Sequence, residues 1–170
     1  PREDTKDLIQ KLQGLAIRVV LITGDGLATA RAVARQVGLG NLVCTAEAIR
    51  QGSKNEQTAC DVVAGVLPED KFHLVQSFQE AGHVVGMTGD GVNDAPALKQ
   101  AEVGIAVSNA TDVARAAASV VLTEPGLSNI LSAIKTGRQI YQRMLTYTLN
   151  KLVKTFQIAL FLSLGLFFTG

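Results

Sequence analysis

Apolar positions recur in two alternating patterns along the first two thirds of the chain, and this alternation predicts an α/β fold. Short runs rich in Val, Ile and Leu are typical of buried strands, and amphipathic stretches typical of helices separate them. The predicted strands are Arg18–Thr23, Val62–Val66, Val84–Thr88, Val103–Val107 and Ser119–Leu122. The predicted helices are Thr5–Gly14, Leu27–Val37, Pro68–Ala81, Asn93–Ala101, Thr111–Ala117 and a long one that begins at Leu127. Such alternation implies βαβ crossovers, so we expect a Rossmann-like parallel sheet with helices on both faces.

The last part of the chain has a different pattern, because nearly every residue from Phe156 onward is apolar. The run is shorter than the roughly 20 residues that a membrane-spanning helix needs, and a core helix can have this length. However, the run continues to the last residue, and Lys151 and Lys154 precede it, as is typical where a helix enters a bilayer from the cytoplasm. Tyr141 and Tyr147 could lie at the interface. We favour a truncated membrane helix over a core helix.

Composition and charge narrow the class of protein. The 170 residues are 47% hydrophobic, which is enough to bury one sizeable core and excludes a disordered chain. The formal net charge is only +1 and the 16 basic residues are scattered, so no nucleic-acid partner is expected. Cys44 and Cys60 have no metal-ligand spacing, and two cysteines give no disulfide framework from which to argue. We interpret both as packing residues in a reducing compartment.

One tetrapeptide follows two of the predicted strands. Thr-Gly-Asp-Gly begins at Thr23 and begins again at Thr88. In open α/β sheets, ligands bind outside the carboxyl ends of the strands, where both copies stand. Gly and Asp are common turn and N-cap residues, and that would explain a single copy. Two copies at equivalent places favour a ligand site.

The second copy continues to two further polar residues, Asn93 and Asp94. Asp90 closes a predicted strand and Asp94 starts the next helix, so both carboxylates can face one small volume. Oxygen ligands of this kind suit Mg²⁺, which binds one or two carboxylates and keeps its other positions for water and phosphate oxygens. Turn and N-cap roles explain each residue singly, but they leave the neighbouring glycines unexplained.

The first copy predicts a phosphate site. Thr23 offers a hydroxyl group, and Gly24 offers a backbone N–H at the beginning of a helix, where anions bind. Lys71, at the head of another helix, could reach the same edge and offset the phosphate charge. A lysine in a first helical turn is by itself more often a solvated side chain, so its role depends on these neighbours.

These residues resemble a known family. The run Met87–Lys99, Met-Thr-Gly-Asp-Gly-Val-Asn-Asp-Ala-Pro-Ala-Leu-Lys, resembles the hinge signature of the P-type ATPases, whose phosphorylation domain belongs to the haloacid dehalogenase superfamily. Thr23–Asp25 and Pro68–Lys71 resemble two further elements of that domain, and the apolar tail resembles the start of a membrane helix. The similarity is greatest to the proton-pump class at Gly104–Val107, Thr111–Arg115, Thr123–Leu127 and Gln139–Met144.

The resemblance implies a role for each matched residue. It implies Mg²⁺ coordination at Asp90 with Asp94, and catalytic support from Asn93, Asp94 and Lys71. It further implies phosphate contacts by Thr23, Gly24 and Lys71, and a nucleotide-proximal or hinge role for Asp25.

The resemblance also implies a function and a division of the chain. It implies a multi-pass membrane protein with this domain on the cytoplasmic side, which uses ATP and Mg²⁺, forms an aspartyl phosphate and transports a cation, a proton or another ion. Residues 1–126 would be the C-terminal part of the phosphorylation domain, 127–155 a helical stalk, and 156–170 the start of a transmembrane helix.

One element of the family is not found in these residues. The phosphoryl acceptor of P-type ATPases is the first residue of an Asp-Lys-Thr-Gly-Thr motif, which does not occur here, so we expect this chain alone to be inactive. Two alternatives stay open, a soluble haloacid dehalogenase-type phosphatase and a non-catalytic module. We also expect the apolar tail to self-associate in water.

Overall fold

The computed structural model describes residues 5–51, 58–124, 126 and 128–169. The chain divides into two units, Pro1–Asn129 and Ile130–Gly170. The helices are α1 (Thr5–Gly14), α2 (Leu27–Val37), α3 (Ala46–Gln51), α4 (Pro68–Glu80), α5 (Ala95–Gln100), α6 (Asp112–Ala117) and α7 (Ser128–Thr169), with a 3₁₀ turn at Val92–Asp94. The strands are β1 (Leu21–Ile22), β2 (Val43–Thr45), β3 (Val62–Ala64), β4 (Gly86–Gly89), β5 (Val103–Ala106) and β6 (Val120–Val121).

The strands form two parallel sheets of three strands each. The first has the order β1-β3-β2 and the second has the order β4-β5-β6. All four strand pairs are parallel, with β3 between its neighbours in one sheet and β5 in the other. The predicted parallel α/β fold is therefore confirmed, but the single sheet is divided into two. Within the described residues, β1 and β4 are each paired along one edge only.

Helices cover both faces of the first sheet. Successive side chains of its central strand point to opposite faces, and apolar side chains of helices pack against them on each face. Val62 and Ala64 of β3 pack in a cluster with side chains of α1 and α2. Val63, between them, packs in a second cluster with side chains of α3 and α4. All three β3 side chains are buried. The helices on both faces that the sequence predicts are thus present around this sheet.

The second sheet packs closely against α5. Its core contains Met87, Ala106 and the fully buried Leu98. Gly104 of β5 lies so close to α5 that an added Cβ atom would stand 2.2 Å from the Leu98 carbonyl oxygen. Glycine at this position therefore lets the helix approach the strand, and this contact holds the segment after β4 against the sheet.

Two elements were not predicted, β2 and α3, because three and six residues are too few to establish a period. The interpretation of the two cysteines as packing residues in a reducing compartment is also incomplete, because they are bonded to each other. Cys44 in β2 and Cys60 beside β3 form a disulfide with a Cα–Cα distance of 6.0 Å. Their separation of 16 residues concealed this pairing, because β2 and β3 become neighbours only in the folded sheet.

In its described residues the second unit consists of helix α7 from Ile130 onward. The predicted long helix is confirmed, and it begins at Ser128, one residue after Leu127, which lies outside the described residues. An 18-residue window of this helix has a mean hydropathy of 1.5, and none of the window is buried. By length and composition α7 is thus a candidate membrane span. The end of the predicted tail, Gly170, also lies outside the described residues.

Candidate functional site

A buried ion pair joins the beginning of α4 to the segment after β4. The Lys71 Nζ atom donates a hydrogen bond to Asp94 Oδ1 at 2.6 Å. The Asp94 side chain is 7% exposed and the Lys71 side chain 23% exposed. The Lys71 side chain is therefore held in place by the segment that follows β4, and the alternative of a freely solvated lysine does not apply.

Asp94 also holds the backbone of the loop that precedes it. Its second oxygen, Oδ2, accepts the N–H groups of Asp90 at 3.1 Å and Gly91 at 3.2 Å. At Gly89 an added Cβ atom would lie 2.6 Å from the Asp94 Cβ atom, so glycine there leaves room for this carboxylate. Both Asp94 oxygens are therefore engaged within the protein, and the carboxylate shapes the loop.

The electrostatic environment keeps Asp94 ionised. Burial raises the pKa of its carboxyl group, because a charge is less stable away from water. The hydrogen bond and positive charge of Lys71, together with the N–H groups of Gly91 and Asp90, outweigh burial and hold the pKa below its usual value. The carboxylate is therefore charged at neutral pH, and so it sustains the pair with Lys71.

Asp90 presents an open carboxylate beside this pair. Its residue is exposed, and no hydrogen bond to its carboxylate is found within the described part of the chain. Its backbone is fixed at both ends, because its N–H donates to Asp94 and its carbonyl accepts the Thr111 N–H at 2.9 Å. Asn93 is exposed on the adjacent 3₁₀ turn.

The donor set fits a magnesium ion in one respect. An exposed carboxylate on a fixed backbone can bind Mg²⁺ while water and phosphate oxygens fill the other positions. Asp94 is less available, since Lys71 and two N–H groups already occupy its oxygens. No group of three or more His, Cys, Asp or Glu side chains that could hold a metal exists among the described residues. A bound ion would therefore need phosphate or another segment to complete its coordination.

The first Thr-Gly-Asp turn forms a second cluster. Thr23 Oγ1 donates to Asp25 Oδ2 at 2.8 Å and accepts the Asp25 N–H at 3.1 Å. The carbonyls of Thr23 and Asp25 accept the N–H groups of Val66 and Gly65, which follow β3. Gly24 is exposed at the centre of this turn. The turn is thus held rigidly at the carboxyl edge of the first sheet.

The structure brings together only some of the predicted site residues. Lys71, Asp90, Asn93 and Asp94 lie on one connected loop and helix end. Thr23, Gly24 and Asp25 form their own turn, and in the described ranges no hydrogen bond or ion pair links them to that group. The contribution of Thr111 was not predicted from the sequence. The signal available was its position after a predicted strand at the same edge of the sheet.

Comparison with known proteins identifies the family. The sequence pattern of the haloacid dehalogenase-like hydrolases matches residues 1–102, and a second pattern of that description matches residues 73–134. The chain belongs to the haloacid dehalogenase-like hydrolases. The acidic loop after β4 and the lysine of α4 thus stand in a hydrolase domain of this family.

Sequence relatives confirm the resemblance to the P-type ATPases. Over its whole length the chain is 42% identical to a putative cation-transporting ATPase of Methanocaldococcus jannaschii, and it covers 22% of that protein. It is 44% identical, over 93% of its length, to a plasma membrane ATPase of Dunaliella bioculata, of which it covers 15%. The chain therefore spans about a fifth of the length of the first relative and about a seventh of the length of the second.

Solved structures give the same result. A zinc-transporting PIB-type ATPase matches 83% of the chain with a TM-score of 0.67 and 32% identity, over 20% of its own length. The catalytic domain of a CPx-ATPase matches 79% of the chain with a TM-score of 0.63 and 25% identity, over 46% of its own length. The fold of this chain thus occurs in both of these ATPases.

Proposed function

We propose that this chain supplies the magnesium-binding and phosphate-binding residues of an ATP-driven cation pump that is phosphorylated on an aspartate. The observation that carries this proposal is the Lys71–Asp94 pair, in which one buried carboxylate binds the ammonium group of Lys71 and also the backbone N–H of Asp90. Phosphoryl transfer depends mainly on positioning and on neutralising charge, and these side chains do both. The pump relatives supply the substrate class.

Each predicted residue takes a definite part in this proposal. Lys71 offsets the charge of the transferred phosphoryl group, and Asp94 keeps Lys71 in place and orders the loop that carries Asp90. Asn93, exposed on the adjacent 3₁₀ turn, would support catalysis from there. The turn of Thr23 and Gly24 would offer backbone N–H groups to phosphate oxygens. The Thr23 hydroxyl, which donates to Asp25 in this structure, would turn to the phosphate on binding, and Asp25 would lie at the nucleotide or hinge side.

Asp90 would hold the magnesium ion, and Asp94 would hold the backbone of Asp90. A bound Mg²⁺ neutralises phosphate charge and orients phosphate oxygens for in-line transfer. Asp90 suits this role because its backbone is fixed from both sides and its carboxylate faces solvent. Asp94 would then contribute mainly by shaping the loop, since its own oxygens are engaged.

The phosphoryl acceptor would come from another part of the polypeptide. In the described residues β1 and β4 each lack a partner along one edge, and Thr23 and Asp90 follow these two strands. One parallel strand paired with both edges would unite the two sheets and would end between the two Thr-Gly-Asp turns. An aspartate there could attack the γ-phosphorus of ATP with ADP leaving, and water would later hydrolyse the acyl phosphate. This chain alone would then be inactive.

The membrane assignment follows from α7. We assign residues 1–126 to the phosphorylation domain, 127–155 to a stalk and 156–170 to the start of a transmembrane helix. The exposed apolar surface of α7 supports this assignment, and Lys151 and Lys154 favour a cytoplasmic location for the preceding residues. The intact protein would cross the membrane several times. The plasma membrane ATPase relative favours the proton-pump class, in which the transported cation is a proton.

The experiment that tests this function is phosphoenzyme formation by the full-length protein. Lys71→Ala should lower the level of acid-stable phosphoenzyme formed from Mg-ATP by about tenfold or more, because it removes a charge that stabilises the transition state. Lys11→Ala is the matched control, since Lys11 forms an exposed ion pair with Asp7 at 2.5 Å. Normal labelling of the Lys71 variant would refute the proposed role.

A further inference from the structure

A second ion pair, between the half-exposed Arg50 and the buried Asp70, adjoins Lys71 in the sequence, and the function proposed above does not use it. Arg50 Nε donates to Asp70 Oδ1 at 2.7 Å, and another Arg50 guanidinium nitrogen donates to Asp70 Oδ2 at 2.6 Å. Asp70 is buried, with a side chain only 8% exposed. Two parallel hydrogen bonds of this kind fix orientation as well as distance. The pair therefore ties α3 rigidly to the first turn of α4.

The pair holds the part of α4 that carries Lys71. Asp70 Oδ2 also accepts the Leu67 N–H at 2.8 Å, so the same carboxylate fixes the residue that precedes the helix. Asp70 and Lys71 are consecutive, and consecutive helical residues point about 100° apart. One side chain thus faces Arg50 while the next faces Asp94. A shift of the first turn would move both contacts together.

Apolar packing between α3 and α4 lies farther along α4, where Leu74 shares a buried cluster with Ala46 and Ile49. Arg50 and Leu67 both line an open cleft of about 340 Å³, together with side chains of α2, α3 and β3. Leu67 is about half exposed. Leu67, which precedes α4, therefore borders open space, and the two hydrogen bonds from Arg50 connect α3 to the first turn of α4 across the edge of this cleft.

We infer that Arg50 and Asp70 are positioning residues for Lys71, which set the place of its ammonium group relative to the phosphate. Within the described residues Arg50 makes no hydrogen bond or ion pair with Lys71, Asp90 or Asp94, so it acts through Asp70. The inference rests on the proposed function, since it assumes that Lys71 contacts the transferred phosphoryl group. Arginine suits this place because its planar fork binds both carboxylate oxygens, whereas lysine can offer one contact.

The test compares single-turnover rate constants of phosphoenzyme formation in the full-length protein at saturating Mg-ATP. Arg50→Met and Asp70→Asn should each slow phosphorylation about tenfold, because a displacement of about 1 Å far from the chemistry is costly. The ATP concentration for half-maximal rate should change less than about twofold. Arg35→Met, at an exposed arginine of α2, is the control and should leave the rate constant unchanged.

A merely structural role gives a different result. It would lower the amount of active protein but would leave the rate constant of each active site unchanged. Because Arg50 and Asp70 act as one unit, the double variant should be no slower than the slower single variant. Arg50→Lys should recover part of the rate. If Arg50→Met does not fold, Arg50→Lys and Asp70→Asn give the same comparison.

The outcomes separate this inference from the proposed function. Unchanged rate constants in Arg50→Met or Asp70→Asn, while Lys71→Ala is slow, would overturn the positioning role alone. Multiplicative effects in the double variant would also overturn it, because Arg50 would then act independently of Asp70. A normal rate constant in Lys71→Ala would refute the role of Lys71 itself, and the positioning role would fall with it.

Discussion

Replacing Asp94 by alanine should destabilise the domain more than any other single carboxylate change at the site. The change removes the acceptor for Lys71 and for the N–H groups of Asp90 and Gly91. Hydrogen bonds to a charged group contribute about 1.5–3 kcal/mol each, and breaking a buried pair costs about 3–5 kcal/mol. Lys71 keeps 23% of its side chain exposed and can turn towards water, which lowers its share.

We therefore expect Asp94→Ala to lower the free energy of unfolding by about 2–4 kcal/mol. Asp94→Asn should cost about 1–2 kcal/mol, because its amide oxygen can still accept the loop N–H groups while the charge is lost. Asp7→Ala is the matched control. Its pair with Lys11 is exposed on α1, so its loss should cost less than about 0.5 kcal/mol.

Native-state amide hydrogen exchange of the chain in mild detergent measures these differences directly. The probes are the amides of Ala101 and Leu122, which are hydrogen-bonded to Ala97 and Ala106 and lie in the buried core. Asp94→Ala should accelerate their exchange by about 30-fold to 700-fold, since 1.4 kcal/mol corresponds to a factor of ten. Exchange within threefold of the parent would show that Asp94 does not hold the loop, and the geometric argument would be wrong.

Acid, a substitution at Gly104 and removal of the apolar tail should each change the protein in a measurable way. The hydrogen bond from Arg50 lowers the pKa of Asp70, and the hydrogen bond from Lys71 lowers that of Asp94 despite its burial. The stability that these two ionised carboxylates contribute to the fold is therefore present above about pH 4 and is lost as the pH falls further. The thermal midpoint of unfolding should drop over that acid range. Gly104→Ala should lower the free energy of unfolding, measured by hydrogen exchange, by about 1–3 kcal/mol, because the added methyl group overpacks the contact with α5. An unchanged free energy of unfolding would contradict that close contact. Deleting residues after about Thr155 should give a folded, soluble monomer, as judged by sedimentation. Unfolding of the shortened chain, or a monomeric longer chain with its tail buried, would refute the membrane interpretation.

The sequence predicted the parts of this fold that have a long period or a repeated motif. Helices α1 and α2 were predicted to the residue, because their apolar spacing is regular. Strand β1 was predicted with six residues but has only two. The run of apolar side chains is longer than the part of the backbone that pairs with β3, and the sequence shows only the run. The pairing of Cys44 with Cys60 depends on which strands become neighbours, and a periodicity analysis cannot supply that information.

The same limit applies to the candidate site. The repeated Thr-Gly-Asp-Gly tetrapeptide indicated both turns, but nothing in the sequence said that Asp94 would bind Lys71 and so leave Asp90 as the open carboxylate. The bidentate pair of Arg50 and Asp70 was also invisible, because it depends on α3, an element too short to predict. Contacts between distant segments decide how chemical groups are shared, and these contacts follow from the fold.

The most direct test of the central claim is the chemistry of phosphorylation in the full-length protein with Asp90→Asn. The parent should form an acid-stable phosphoenzyme from Mg-ATP that hydroxylamine cleaves, as expected for an acyl phosphate on an aspartate. The Asp90→Asn variant should still bind ATP but lose this phosphoenzyme, because the open carboxylate that would hold Mg²⁺ is neutralised. Asp7→Asn, at an exposed carboxylate of α1, should label normally. Normal labelling of the Asp90 variant, or a parent phosphoenzyme that resists hydroxylamine, would contradict the account.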